Sequence, residues 1–432
     1  VSLSTQSQEE ELAGRIDWRA IAFVGVLLLG WLTLKPFDDL ADPVALELSV
    51  GREAATYLCF GALAAFCLAQ IIQTDGQGLR RLAVPSFIGL AGWIGISCLL
   101  SQDPSTSFKR AALCGFVALS AAALLLLPRG RLHLAKLLGL AAGVVAGLSY
   151  FGVIFMPEYA VHQATDIMEP GLAGDWRGVF SHKNAASAVF SMLSFIGIFV
   201  ARSGRSAEGW ALCGLSLLFV LFSGGKSSAL LCGAAVLVSL AATREDVSLK
   251  VGAGLVLAPL IALNALGVGS VIFPALSSLS ASLPLDASFT GRTDIWKFAL
   301  AEIPNRLFFG HGFSAFWNSD SARIAATEAQ SWAGQAAHAH NGYVDAALAM
   351  GLPGLAFVLW AFLIQPFLDM RRAARNGADP ALLLMLVQIW LFGIYLSSLE
   401  SFFFDRANPI WITFLFALFG LRYIACYRVM AL

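Results

Sequence analysis

Apolar runs of about 13–22 residues, separated by mostly shorter polar joints, recur along almost the whole chain. A helix needs about 20 mostly apolar residues to cross a bilayer. In hydrocarbon the backbone must also satisfy its own hydrogen bonds. The pattern predicts spans at 20–34, 54–72, 82–100, 111–127, 137–155, 185–201, 210–222, 227–242, 249–266, 343–364, 381–399 and 410–427, with 210–222 the shortest. The expected fold is an all-α, polytopic membrane bundle of about twelve transmembrane helices. The segment before the first span is polar, with Glu9, Glu10 and Glu11. It lacks the basic start and apolar stretch of a signal peptide, so the first span is expected to stay as a membrane helix.

Basic residues orient the bundle. One set of joints carries Arg80 and Arg81, then Arg129, Arg131 and Lys136, then Arg202 and Arg205, then Arg244 and Lys250, then Arg371, Arg372 and Arg375. Arg15, Arg19, Arg422 and Arg428 flank the termini on the same side. The alternate joints hold fewer Lys and Arg over greater length, so the positive-inside rule places both termini in the cytoplasm. The expected organisation is a cytoplasmic tail at 1–19, spans one to nine over 20–266, a long periplasmic loop at 267–342, and the last three spans with a short cytoplasmic C-terminus at 343–432. That loop, of about 75 residues, is too long to be structureless. Helical spacing at 289–301 and 321–331 predicts short helices in it.

Composition supports the same class. Hydrophobic residues make up 58% and charged residues 13%, with a mean hydropathy of +0.74. Soluble domains carry about 25% charged residues, so lipid must be the main solvent. The formal net charge is +0, which gives no overall attraction to nucleic acid. All seven cysteines lie in apolar runs without a CxxC pair, and read as small hydrophobes rather than disulfides or metal ligands.

Polar chemistry concentrates at the outer joints. In Asp175-Trp176-Arg177-Gly178-Val179-Phe180-Ser181-His182-Lys183-Asn184, Asn184 can cap a helix starting at Ala185. Arg177, His182 and Lys183 beside that helix start suit an anion such as a phosphate, and a solvated loop with an ordinary cap is the alternative. Ser223-Gly224-Gly225-Lys226-Ser227 is a tight turn whose glycines admit a bulky ligand, although Lys226 could equally be a snorkelling anchor. It is not a P-loop. In Thr290-Gly291-Arg292-Thr293-Asp294, a cation at a helix start opposes the helix dipole unless an anionic ligand, or Asp294, lies close. In His338-Ala339-His340-Asn341-Gly342-Tyr343, a histidine at the boundary can act as a base near neutral pH, and Asn341 can cap the next helix. His338 and His340 with His311 upstream could alternatively suggest zinc, which takes three or four such ligands, but no HExxH is present and no cysteine lies near, so no metal or other cofactor is expected. Glu400 could orient a histidine or an acceptor hydroxyl; Asp405 and Arg406 read as a solvent pair.

The ordered set Arg-Gly-x-Phe-x-His-Lys-Asn, Gly-Arg-x-x-x-Trp and His-x-His-Asn-Gly-Tyr, followed by Gly351-Leu352-Pro353-Gly354, resembles the O-antigen ligase and polysaccharide polymerase family of bacterial inner-membrane proteins. The resemblance covers about 176–355, and its first motif looks most like the exopolysaccharide-polymerase branch. It implies a GT-C-like membrane fold and metal-independent glycosyl transfer on the periplasmic face. The implied donor is an undecaprenyl-diphosphate-linked glycan. A polymerase passes the growing chain to another lipid-linked repeat; a ligase passes it to lipid A–core. By this resemblance Arg292 would hold the donor diphosphate and His340 would be the base on the acceptor hydroxyl. Arg177 and Lys183 would help neutralise the anion, with His182, Asn184, Lys226, Asn341 and Tyr343 also lining the substrate. A chain-length regulator and other polysaccharide-export proteins are the implied partners. Ligases typically carry Arg in the outer turn where this chain has Lys226, which keeps the charge but loses the bidentate fork and so weakens the ligase reading. A transporter remains an alternative on span number alone, but carriers show related halves and polar groups near the midplane. Here the spans are almost free of charge.

Overall fold

Each predicted span coincides with a helix. The computed structural model describes residues 17–32, 36–42, 53–167, 169–282, 291–329, 331–405 and 408–427. Among these there is no strand, only an isolated bridge between Val161 and Trp176. The helices before the long loop are α1 (Trp18–Leu32), α2 (Glu53–Leu82), α3 (Pro85–Leu99), α4 (Pro104–Ala123), α5 (Arg131–Phe155), α6 (Lys183–Ala201), α7 (Ser206–Phe222), α8 (Lys226–Ala242) and α9 (Leu249–Leu266). The loop begins with two helices that no spacing predicts, Val268–Ile272 and Pro274–Ser282, and continues into α10 (Arg292–Glu302) and α11 (Asp320–Glu328), the two short helices that the spacing predicts. Then α12 (Gly342–Leu359) runs on through a π turn at Trp360–Ile364 into Gln365–Arg375, and α13 (Pro380–Leu396) and α14 (Pro409–Cys426) complete the bundle. Among the described residues, six helical stretches are long and apolar enough to cross a membrane, and five more are shorter apolar helices. Thr290, Arg406 and the acidic segment 9–11 lie outside the described residues.

Local chemistry sets the helix starts. Asp103, Asp379 and Asn408 each accept a hydrogen bond from an amide in the following turn, and each precedes a proline at the first helical position. The predicted third span began at residue 82, but the break falls at 83–84. Pro85 forces Val84 into an extended conformation, so Leu82 belongs to the helix before it.

Burial separates centre from rim. The most apolar stretches of α6 and α14 are 83% and 78% buried, against 22% for α2 and α9. Nearly every residue of α13 is buried as well. The rim helices turn Leu58, Ile72, Val251 and Ile261 outward, where only an apolar solvent matches them.

The tenth span is broken. Gly351 sits at φ 69°, ψ −177°, two residues before Pro353, so the helix ladder fails there. The loop after α10 supplies the missing partners. Leu352 N donates to Leu307 O (2.9 Å), while His311 N and Gly312 N donate to Leu348 O and Ala349 O (2.9 and 3.1 Å). Trp93 Nε1 donates to Met350 O at 2.9 Å and Ser97 Oγ to Ala349 O at 3.0 Å. A Cβ at Gly351 would lie 2.3 Å from the Phe308 carbonyl oxygen. The Gly-Leu-Pro-Gly motif is therefore where the long loop plugs into the bundle.

Alternate joints gather at opposite ends. At one end, Arg19 donates to Leu126 O, Arg131 to Arg202 O, Arg371 to the carbonyls of Ala242, Arg244 and Val247, and Arg422 to Arg81 O. At the other, Ser107 Oγ donates to Phe313 O, Arg177 to Asp38 O, and Asn341 to Ser398 O. The second end carries the long loop and every sequence motif with candidate chemistry.

Candidate active site

Arg292 is the first residue of α10, placed by Gly291 in a left-handed turn (φ 82°). The helix docks through Ile295, Trp296, Phe298 and Ala299, and Trp296 Nε1 donates to Ala339 O at 2.9 Å. Ala339 N donates to both oxygens of Asp345 (3.1 and 3.2 Å), whose Oδ1 also accepts from Trp317 Nε1 at 2.7 Å. Ala339 is thus held from both sides. The next residue, His340, takes a left-handed conformation (φ 51°), an arrangement that costs of order 1–3 kcal/mol and persists where surroundings enforce it.

Asn341 caps α12 as expected, its Oδ1 accepting from Tyr343 N and Val344 N at 3.0 and 3.1 Å. Its Nδ2 donates to Asn264 Oδ1 (3.1 Å) and Ser398 O (3.0 Å), tying α9, α12 and the segment after α13 together. Asn264 in turn donates to Ser398 Oγ at 2.8 Å, and Tyr343 OH to Ile394 O at 2.8 Å. Asn341 and Tyr343 are therefore occupied with other residues of the chain and brace the site from behind.

Glu400 is the meeting point. Its Oε1 accepts from Arg292 Nη2 at 2.7 Å and from Asn184 Nδ2 at 3.2 Å, while Oε2 lies 3.2 Å from His340 Nδ1. Arg292 Nη1 also donates to Leu399 O. The side chains remain partly open, at 17% exposure for Arg292, 20% for Glu400 and 30% for His340. Burial alone would raise the Glu400 carboxyl, but the His340 hydrogen bond and the Arg292 charge outweigh it and bring it down to about 2. This carboxylate stays ionised at neutral pH. It, rather than Asp294, relieves the clash between Arg292 and the helix dipole; Asp294 pairs with Lys297 instead. His338 is pushed below the usual imidazole value, by burial first and by His340 second. Its Nδ1 accepts from His340 N at 3.3 Å.

The first motif is arranged differently from expectation. Helix α6 starts at Lys183, not Ala185, and the cap is His182, whose Nδ1 accepts from Asn184 N at 3.0 Å. An extended backbone at His182 brings its ring over the first free amides. Asn184, one position inside the helix, is thereby free to reach Glu400. His182 Nε2 lies 2.7 Å from Glu169, and Lys183 Nζ 2.5 Å from Asp175, so both carry a carboxylate partner. Arg177 is fully buried and donates to Phe180 O and Asp38 O at 3.1 and 2.6 Å. It holds the loop from inside and does not meet Arg292 or His340.

Lys226 opens α8 with an exposed side chain that has no ion-pair partner among the described residues. A Cβ at Gly225 would lie 2.4 Å from the Ser187 side chain, so the turn packs directly on the start of α6. The Lys226 turn, Lys183, Asn184, Glu400, Arg292 and His340 consequently form one strip at this end of the bundle. A pocket of 270 Å³ opens beside it, lined by Trp31, Asp38, Phe180, Ala185, Asp405 and Asn408 among others. His311 does not join the other histidines: it bonds Gln102 and the Glu302 carbonyl.

The sequence offers Glu400 as a residue that could orient a histidine or an acceptor hydroxyl, without saying which partner it meets, and gives no role to Asn264, Ser398 or Asp345. Asn264 carried a signal, as a polar residue in the last turn of an otherwise apolar span.

The architecture is that of a polytopic helical membrane protein with an Arg–Glu–His cluster at one end. Residues 211–359 match the family model described as O-antigen ligase, in agreement with the motif resemblance. The matched segment contains Lys226, Arg292 and His340 and stops short of Asn184 and Glu400 on either side. No curated protein matches the chain. The match supports a membrane glycosyl-transfer family of ligase or polymerase type.

Proposed function

We propose that this protein polymerises undecaprenyl-diphosphate-linked oligosaccharide repeats into exopolysaccharide or O-antigen at the periplasmic face of the bacterial inner membrane. The observation that carries the reading is the junction of Arg292 and His340, 48 positions apart in sequence order (340 − 292), on one carboxylate at one bundle end. The orientation rests on the arginines of the opposite end, which by the positive-inside rule face the cytoplasm with both termini. The loop 267–342 then lies in the periplasm between the first nine spans and the last three.

In this reading Arg292 stabilises the negative charge that develops on the departing diphosphate, supplying with a side chain the charge that a metal would otherwise bring. His340 takes the proton of the acceptor hydroxyl as its oxygen attacks the anomeric carbon, and undecaprenyl diphosphate leaves. Lys226, exposed and without an ion-pair partner among the described residues, adds positive potential along the path of the lipid-linked anion, whereas Lys183 is already paired with Asp175. Ligation to lipid A–core by the same chemistry is the second reading. Lys226, in place of the arginine typical of ligases, favours polymerisation.

The test is the glycan that accumulates when the protein is deleted. Loss of long polymer, restored by wild type and not by His340→Ala at equal membrane level, supports the proposal. Intact lipid-linked polymer missing only from lipid A–core would replace polymerase by ligase. Unchanged polymer in the His340→Ala strain would remove His340 from the mechanism.

A further inference from the structure

We propose that Glu400 is the positioning residue that couples the two halves of the glycosyl-transfer site: it aims the base and anchors the diphosphate-binding arginine with one carboxylate. This rests on the reading of Arg292 and His340 given above. Glu400 lies outside the matched segment, and none of the three sequence motifs contains it.

Geometry divides the carboxylate between two tasks. Oε2 faces His340 Nδ1, and a permanently ionised carboxylate can only accept, so the proton must sit on Nδ1. The other ring nitrogen, Nε2, is then the lone-pair nitrogen. It has no hydrogen-bond partner among the described residues, and the side chain is 30% exposed. The tautomer needed for a base is therefore selected by Glu400. Oε1 meanwhile accepts from Arg292 Nη2, and Leu399 O accepts from Nη1. A guanidinium has five N–H donors, so two of them can be spent on aiming the group while the rest stay available to an anion.

The proton balance follows. The acceptor oxygen forms its bond to the anomeric carbon, the carbon–oxygen bond to the diphosphate breaks, and the hydroxyl proton moves to Nε2. Glu400 takes no proton; its charge stabilises the imidazolium that results. Asn184, donating to the same Oε1, fixes the carboxylate plane from the α6 side.

The experiment uses the full-length protein in nanodiscs. The substrate is a lipid-linked repeat isolated from cells lacking the protein, and chain growth is followed on gels. Glu400→Gln is expected to lower kcat by about 10²-fold or more, by analogy with other carboxylate–imidazole pairs. KM should stay within about threefold, because substrate binding keeps Arg292. Glu400→Gln added to His340→Ala should cost clearly less than Glu400→Gln costs in the wild type, since the part acting through His340 has nothing left to act on and only the anchoring of Arg292 remains. A wild-type kcat for Glu400→Gln, or costs that multiply in the double variant, would overturn the positioning role. If Glu400→Gln melts below the assay temperature, Glu400→Asp enters the same cycle with the same two readouts. A fully active His340→Ala would instead overturn the function proposed for the site, so the two failures are told apart.

Discussion

The two ends of the bundle use arginine in opposite ways. At the arginine-rich end, Arg371 is 5% exposed and spends its donors on three backbone carbonyls at once. Arg131 and Arg422 are paired with Asp379 and Asp369, carboxylates that are themselves almost fully buried. At the other end Arg292 shares its carboxylate with a histidine and remains within reach of solvent. A cation whose donors are consumed by main-chain carbonyls tethers helix ends. One that keeps donors free, beside a titratable ring, is placed for chemistry. Arg177 shows that position at an end is not enough, because it lies at the chemical end and is nonetheless committed to carbonyls.

Substitutions can break this contrast. The largest effect is expected for Arg292→Ala, which should lower polymer formation by about 10²–10³-fold, the loss typical of a charge-stabilising donor, at unchanged membrane level. Arg292→Lys should recover only part of the rate, since lysine cannot hold Glu400 and an anion through a planar fork. Arg371→Ala should do the reverse. It should cost about 2 kcal/mol of stability by stranding carbonyls, read as a lower melting temperature in detergent, with the rate per folded molecule preserved. Asn184→Ala removes one hydrogen bond to a charged group and should slow the reaction about fivefold. The smallest effect is in acid. Glu400 has a lower pKa folded than unfolded, so its contribution to stability is complete above the unfolded carboxylate value and is lost as pH falls toward about 2. Melting of the wild type should therefore fall between about pH 4.5 and 2 more steeply than that of Glu400→Gln.

Much of the fold was legible because hydrophobic periodicity and the demand for internal backbone pairing leave few choices in a bilayer. Even α10 and α11 of the long loop announced themselves by spacing, while the short helices Val268–Ile272 and Pro274–Ser282 did not. Boundaries were read less well where polar residues continued a helix beyond the apolar run, as at the end of α2, or where a histidine ring served as cap, as at His182. In the site, Arg292, His340 and Asn184 could be singled out by residue type and position. Glu400 could be named as able to orient a histidine or an acceptor hydroxyl, and Asp405 as half of a solvent pair, but no more than that. Nothing local shows that one meets an arginine and a histidine while the other accepts from Asn408.

The sequence by itself determined the class of solvent, the places of the long apolar helices along the chain, and the end of the bundle on which polar chemistry collects. These follow from short-range patterns that each segment carries alone. Tertiary structure alone decided which cations are committed and which are available. It also decided that segments around 184, 292, 340 and 400 meet, because the value of a charge depends on partners brought from elsewhere in the chain, and only packing chooses those partners.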